Sequence, residues 1–369
     1  MKDNNIQSVG EQCFGCTACV HTCPEHCICM GEDSKGFLYP QVDEENCTQC
    51  GACLQVCPAV VDIFDAELYP DMPVYGVKHS RDEVRMQSAS GGAFTAISDY
   101  VLENDGVVYG AAYGESMRVE HQRAATKEMR NRLCGSKYVQ SDLNDSFLRI
   151  REDAASGKTV YVTGTPCQIA GLKLFLGDTY PEVLTSDLVC TGVPPYKVFA
   201  DFVQLIESQH QQKAKHIIFR DKQIGWRGTH ISVEFDTGMK LIDTELLCTY
   251  AQLYESLIML RPCCYACKYA CYNRQGDLTI SDFWGIEEVR PEFEDTLGVS
   301  LVFANSRKGE HLFHAVSGSL EYFTTDAHAC YQERLGYPSE RNPFSSAFWK
   351  DYLARGYGYA AEKYAKIID

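Results

Sequence analysis

Residues 13–24 read CFGCTACVHTCP, and residues 47–58 read CTQCGACLQVCP. Each stretch spaces four cysteines as C-x2-C-x2-C-x3-C and closes on proline. Cys13, Cys16, Cys19, Cys23 and Pro24 recur as Cys47, Cys50, Cys53, Cys57 and Pro58, each shifted by 34 positions. This is the spacing of a ferredoxin with two [4Fe–4S] clusters, where three close thiolates wrap one cluster and the fourth crosses to the other. The implied ligand sets are Cys13, Cys16, Cys19 and Cys57, and Cys47, Cys50, Cys53 and Cys23. Small residues between them (Gly15, Thr17, Ala18, Gly51, Ala52) let backbone N–H groups approach the sulfurs. Zinc also takes C-x2-C pairs, but as two separated pairs and not as triplets closing on Cys-Pro. Cys27 and Cys29 fit neither set.

The chain around this repeat has 369 residues, 45% of them hydrophobic and 23% charged, which suits a globular protein of two or three domains. Its 19 cysteines and its polar opening, MKDNNIQSVG, point to reduced thiols in a cytoplasmic protein instead of a secreted disulfide framework. No apolar run reaches the length of a membrane span. The net charge is −16; residues 1–70 hold two Lys+Arg and eleven Asp+Glu, so −9 of it lies there. Such acidity repels phosphate backbones and argues against nucleic acid, while it suits docking to a basic protein partner.

A turn-rich exit, AVVDIFDAELYPDMPVYG, follows Pro58 and closes on Gly76. Beyond it the texture changes. AFTAISDYVLEN places Phe94, Ile97 and Val101 on one helical face and runs into the strand-like GVVYGAAY. Strand-like KTVYVTG, helix-like QIAGLKLFL and strand-like EVLTSDLVC follow, which is the alternation of an α/β domain. Residues 215–250 read as hairpins, and helices are expected to dominate after 305. The fold expected is therefore mixed α/β: an N-terminal ferredoxin-like domain over 1–70, then an α/β region in two parts, 75–160 and 161–369.

Two further patterns carry chemistry. SASGGAFTAI sets Ser90, Gly91 and Gly92 before a helix, whose free N–H groups would suit a pyrophosphate; an ordinary N-cap at Ser90 explains the same residues. VTGTPCQIAGLK puts Cys167 in the first turn of a helix, where a thiol is acidified, so it reads either as a nucleophile or as a ligand. Cys190 ends TSDLVC, and RPCCYACKYAC supplies Cys264 and Cys267, with Cys263 and Cys271 competing for the register. Cys167 and Cys190 at strand ends plus a C-x2-C pair make a four-thiolate set for a cubane or a zinc ion.

The stretches SASGGAFTAISDYVLENDGVVYGAAY, GSKYVQSD, GTPCQIAGLK, SDLVCTGVPP, FRDKQIGWRG and CYACKYACYNRQGDLTISDFWG resemble the coenzyme F-420 hydrogenase/dehydrogenase beta subunit family over about 75–310. The resemblance implies FAD, held by Ser90, Gly91 and Gly92 and by Gly135, Ser136, Lys137 and Tyr138. It also implies a third cluster on Cys167, Cys190, Cys264 and Cys267. Relatives often carry Cys-His-Gly where this chain has Cys190-Thr191-Gly192. The function implied is an iron–sulfur flavoprotein oxidoreductase. Electrons from ferredoxin or another redox protein would pass through the clusters to FAD and on to an organic hydride acceptor such as coenzyme F-420. A relay subunit without catalysis is the alternative. No side chain is assigned as proton donor; Arg220, Lys222 and Arg227 are candidate anchors for an anionic substrate, or simply a solvated hairpin.

Overall fold

The computed structural model describes residues 4–63 and 72–368. Strands β1 (Ile28–Glu32) and β2 (Leu38–Val42) form an antiparallel hairpin beside the cysteine repeat. Then come β3 (Val74–His79), β4 (Val107–Tyr113), β5 (Val119–Ala124), β6 (Val160–Gly164) and β7 (Val183–Leu188). Strands β8 (Ala214–Ile218), β9 (Ser232–Phe235) and β10 (Lys240–Ile242) make a separate antiparallel sheet. Strands β11 (Leu278–Asp282), β12 (Ser300–Ala304) and β13 (Leu320–Thr325) return to the first one. The large sheet runs β13-β3-β12-β11-β7-β6-β4-β5. Its four middle strands, β11, β7, β6 and β4, are parallel, and the flanking pairs are antiparallel.

Helices cover both faces, which is why the central strands read as continuous apolar runs. Ile97, Val101, Leu312 and Phe313, from helices Ala93–Glu103 and Arg307–Val316, bury one face against Val77, Tyr161 and Val302. Helices Ser146–Ala155 and Pro166–Leu176 bury the other with Phe147, Ile150, Ile169 and Leu172. Cys16 and Ala18 belong to that second core, so the cysteine repeat is built into the α/β body. A third core joins helices Tyr196–His210, Glu245–Glu255 and Ser345–Tyr364 to the three-stranded sheet.

The structure departs from the sequence reading in places. Gly76, read as closing a linker, lies inside β3 under the Phe323 ring; a Cβ there would come within 2.4 Å of it. Residues 245–255 form a helix where hairpins were expected, and β13 interrupts the helical C-terminal part. Part of the exit segment, 64–71, lies outside the described residues. The boundary at 160/161 falls at the start of β6, which pairs with β4 on one side and β7 on the other, so the two later segments share one sheet.

Candidate functional site

The 34-residue repeat reappears in the backbone. Gly15 and Gln49 have positive φ, as do Thr17 (φ 63°) and Gly51 (φ 75°), which open the short helices Ala18–Thr22 and Ala52–Gln55. These left-handed residues curl each C-x2-C-x2-C loop so that its sulfurs face inward. Cys13, Cys16, Cys19 and Cys57 line one small cavity with Thr17 and Pro58. Cys23, Cys47, Cys50 and Cys53 line a second with Asn5 and Cys27. The crossover read from the spacing is therefore the grouping of the walls. The N–H of Gly15 points at Cys13 Sγ, 3.3 Å away. Thr17 Oγ1 is buried without a partner at the wall of the first cavity, as a hydroxyl facing an inorganic sulfide would be. Cys27, set aside on spacing, lies 3.4 Å from Cys23 Sγ.

Burial, then repulsion from Cys19 with Cys13 and Cys57, pushes the Cys16 thiol well up. As bare thiols these groups resist ionising together; bound iron would stabilise them as thiolates. Among the described residues no three His, Cys, Asp or Glu side chains converge on a point fit for a single metal ion.

The later cysteines gather beside the carboxyl ends of the parallel strands. Cys167 stands in the first turn of helix Pro166–Leu176, which Thr165 and Gln168 close with a reciprocal capping box. Cys190 lies two residues past β7, beyond the strand end expected for it. Cys264 and Cys267 sit on and just after the turn Pro262–Ala266. Burial pushes Cys167 well up, and Cys267, Cys190 and Cys264 add to it. Burial and the neighbouring thiols thus act against the acidifying effect of the helix start. Cys271 turns away, donating to the carbonyls of Lys268 and Asn273 at 3.4 Å. Cys263 is buried with Phe14, Ala170 and Tyr269.

Beside this set opens a cavity of about 730 Å³, within the size range of cofactor pockets. Its walls hold Ser90, Gly92, Gly135, Ser136, Lys137 and Tyr138, together with Cys190. Gly91 does not face it. A Cβ at Gly91 would stand 2.2 Å from the Val77 carbonyl oxygen, so this glycine lets the loop lie on β3. Gly92 (φ 94°), not Ser90, is the N-cap; the Ser90 hydroxyl donates to the Val299 carbonyl at 2.6 Å. The Lys137 ammonium donates to the carbonyls of Arg132, Leu133 and Cys134, and burial pulls it down to about 8. The Tyr138 ring stacks on Tyr254 at 4.5 Å.

The candidate substrate anchors are engaged otherwise. Lys222 is buried and donates to the carbonyls of Arg85, Ser90 and Leu297, pinning the Ser90 loop. Arg220 lines the cavity but pairs with Asp282 at 2.7 Å. Arg227 is exposed and pairs with Glu287 and Glu294. Sequence reasoning missed His121, Ser141 and Gln168 in the cavity wall. His121 Nδ1 meets Ser141 Oγ at 2.7 Å and Nε2 meets the Thr163 carbonyl at 3.0 Å, and burial pulls the imidazole down to about 4. Ser141 and Gln168 lie within the quoted stretches GSKYVQSD and GTPCQIAGLK, but only the fold brings them together with His121.

One contact joins the first cavity to the later set. Gly171, four residues after Cys167 on the same helix, faces Cys16 so closely that a Cβ would stand 2.7 Å from its sulfur. Tyr269 lies alongside, its ring 5.5 Å from Phe14 and its hydroxyl donating to the Pro58 carbonyl at 3.0 Å.

Residues 157–328 match the family model for the C terminus of the coenzyme F420 hydrogenase/dehydrogenase beta subunit. Residues 12–61 match the 4Fe-4S dicluster domain. The chain is thus similar, over residues 157–328, to the F420 hydrogenase/dehydrogenase beta subunit, with a match to a dicluster ferredoxin domain on its N-terminal side. It is an iron–sulfur electron-transfer protein related to that beta subunit. Comparison with curated proteins finds no match. A solved chain described as "Xenon derivatization of the F420-reducing [NiFe] hydrogenase complex from Methanosarcina barkeri" is similar at 18% identity and a TM-score of 0.47, over 82% of this chain and 94% of that one. Among the described residues no helix is long and apolar enough to cross a membrane.

Proposed function

We propose that the protein is an FAD-dependent iron–sulfur oxidoreductase that moves electrons between a ferredoxin-type partner and an organic hydride acceptor. Coenzyme F-420 is the first acceptor to test. The carrying observation is Cys190, which belongs to the later four-cysteine group and to the wall of the large cavity. Cys47, half-buried, and Cys50, exposed, form the inlet, near the exposed Asp43, Glu44 and Glu45. From there the line runs through the Cys13, Cys16, Cys19 and Cys57 set, across the Gly171 contact, to Cys167, Cys190, Cys264 and Cys267. FAD in the cavity would supply the exchange between single electrons and hydride. The chain's own part is to bind and orient. Ser90 and Gly92 offer the helix start to a pyrophosphate, Lys222 holds their loop, and Tyr138 presents a stacked ring. All nineteen cysteines are free thiols, which suits work in a reducing compartment such as the cytoplasm.

The test uses the full chain, purified without oxygen. About twelve iron, as three clusters of four, and one FAD per chain are expected. Reduced ferredoxin, or dithionite through a viologen, should bleach the clusters first and the flavin next; a deazaflavin should then reoxidise the protein. Clusters with no flavin, and none restorable, would refute this reading in favour of the relay subunit.

A further inference from the structure

Arg261 is among the largest fully buried side chains of the protein, with no measurable exposure. Each of its three guanidinium nitrogens donates to a neutral acceptor. Nε donates to the Cys13 carbonyl at 2.7 Å, Nη1 to Gln140 Oε1 at 3.0 Å and Nη2 to the Leu38 carbonyl at 2.7 Å. The group lies over the Tyr39 ring at 4.4 Å and near the Phe37 ring at 5.6 Å. Among the described residues no carboxylate pairs with it. The other buried arginines differ: Arg85 pairs with Asp295, Arg130 with Asp99, Arg220 with Asp282 and Arg274 with Asp187. A buried cation without an anion is costly, so its counter-charge should lie close by. Both cysteine groups adjoin it: its Nε meets the Cys13 carbonyl, and the Cys264 N–H donates to the Arg261 carbonyl at 2.9 Å. Cys13 belongs to the first cavity and Cys264 to the later set. The Cys23, Cys47, Cys50 and Cys53 group lines the other small cavity.

We propose that Arg261 is a positioning residue shared by two iron–sulfur centres, its permanent charge favouring the reduced form of both. The proposal rests on the reading that clusters occupy the Cys13 set and the Cys167 set. In reduction by dithionite the S–S bond of the reagent opens to two sulfur dioxide radical anions, each of which gives one electron to a centre and is hydrated to sulfite; within the protein no bond is broken and no proton is required. The added negative charge appears beside a fixed cation in a poorly solvated region, where such attraction is strong. Removing the cation therefore lowers both potentials. The Cys23 set serves as a reference within the same molecule.

The experiment is an EPR-monitored redox titration of the anaerobic full-length protein, wild type against Arg261→Gln and Arg261→Lys. Iron counts and spectra first establish which sets are filled, so an empty later set would count against the proposed function while the Cys13 centre still tests Arg261. In Arg261→Gln the reduction equilibrium of both neighbouring centres should shift at least tenfold toward the oxidised form, about 59 mV for a one-electron couple. The Cys23-set centre should keep its potential, and Arg261→Lys should stay near wild type. Unchanged potentials in Arg261→Gln, or an equal shift of all three centres, overturn the proposal. Should Arg261→Gln fail to hold iron, Arg261→Lys decides. Wild-type potentials then support a role for the charge, and lowered ones refute it, since a residue acting only as a structural fork would lose its function in the lysine variant.

Discussion

Replacing Gly171 with alanine tests whether the ferredoxin domain and the α/β body meet as closely as the Cys16 contact implies. The new Cβ would stand 2.7 Å from Cys16 Sγ and 2.9 Å from Cys16 Cβ. A sulfur tied to a cluster cannot swing aside, so the helix or the loop must move. Overpacking of this kind costs about 1–3 kcal/mol. Alanine returns about 1 kcal/mol over glycine in a helix interior. The balance is a loss of about 1 kcal/mol, or about fivefold in the equilibrium that opens the contact. Gly171→Leu should lose considerably more. The assay is anaerobic iron release to a chelator, with EPR to show which centre empties. Release from the Cys13 set should quicken about fivefold in the alanine variant and further in leucine, while the Cys23 set keeps its rate. A leucine variant with unchanged release and an unchanged spectrum would refute the close contact and the path drawn through it.

Lys222→Met should loosen the Ser90 loop by leaving three carbonyls without their donor, and weaken flavin retention at least about tenfold, since hydrogen bonds to charged groups are worth about 1.5–3 kcal/mol each; flavin fluorescence after anaerobic desalting reports it, and full retention would count against the assignment. His121 stays neutral when folded, down to about 4. As pH falls from about 6.5 toward that value only the unfolded chain takes the proton, so stability falls by about 1.4 kcal/mol per pH unit. In His121→Asn that part of the acid slope of the urea midpoint should vanish. Reversing Glu44 and Glu45 to lysine should slow reduction by a basic protein donor at low salt and leave reduction by dithionite unchanged; equal rates would remove the acidic inlet. A chain lacking residues 1–70 should lose the later cluster as well as the first two, because the loop bearing Cys264 and Cys267 takes its supports from that domain; retention of about four iron would show that the loop stands alone.

The two cysteine groups of the repeat were legible because their chemistry is local: spacing alone decides which sulfurs can meet, and the left-handed turns at 15, 17, 49 and 51 follow the same period. The middle of the sheet was legible for a related reason. KTVYVTG and EVLTSDLVC carry the runs of strands buried on both faces, and Cys167 and Cys190 follow at their ends. The flavin-side stretches came from family resemblance, and the structure lays most of them along one cavity. What stayed hidden depends on long-range placement. Gly91 and Gly92 look alike in sequence, but one meets a strand and the other opens a helix. Lys222 reads as a solvated cation until the fold buries it under three carbonyls. His121 belongs to no quoted stretch, and Arg261 and Ser141 lie inside quoted stretches without being singled out; their roles exist only where separate elements converge.

The contacts that hold the ferredoxin domain have a consequence for how such chains can be recombined. Arg261 grips the carbonyls of Cys13 and Leu38, Tyr269 that of Pro58, and Lys268 that of Val61 at 3.1 Å. These acceptors are backbone; the side-chain exception is the Asp62 carboxylate, which Lys268 also meets at 2.7 Å. The body therefore recognises the path of its neighbour's main chain more than the identity of its side chains. A ferredoxin module of different sequence but the same loop geometry would offer the same handholds, apart from the small residues required where Cys16 meets Gly171. Exchanging the electron inlet for one suited to another donor becomes a matter of preserving four carbonyl positions, which leaves the module's outer surface free to diversify.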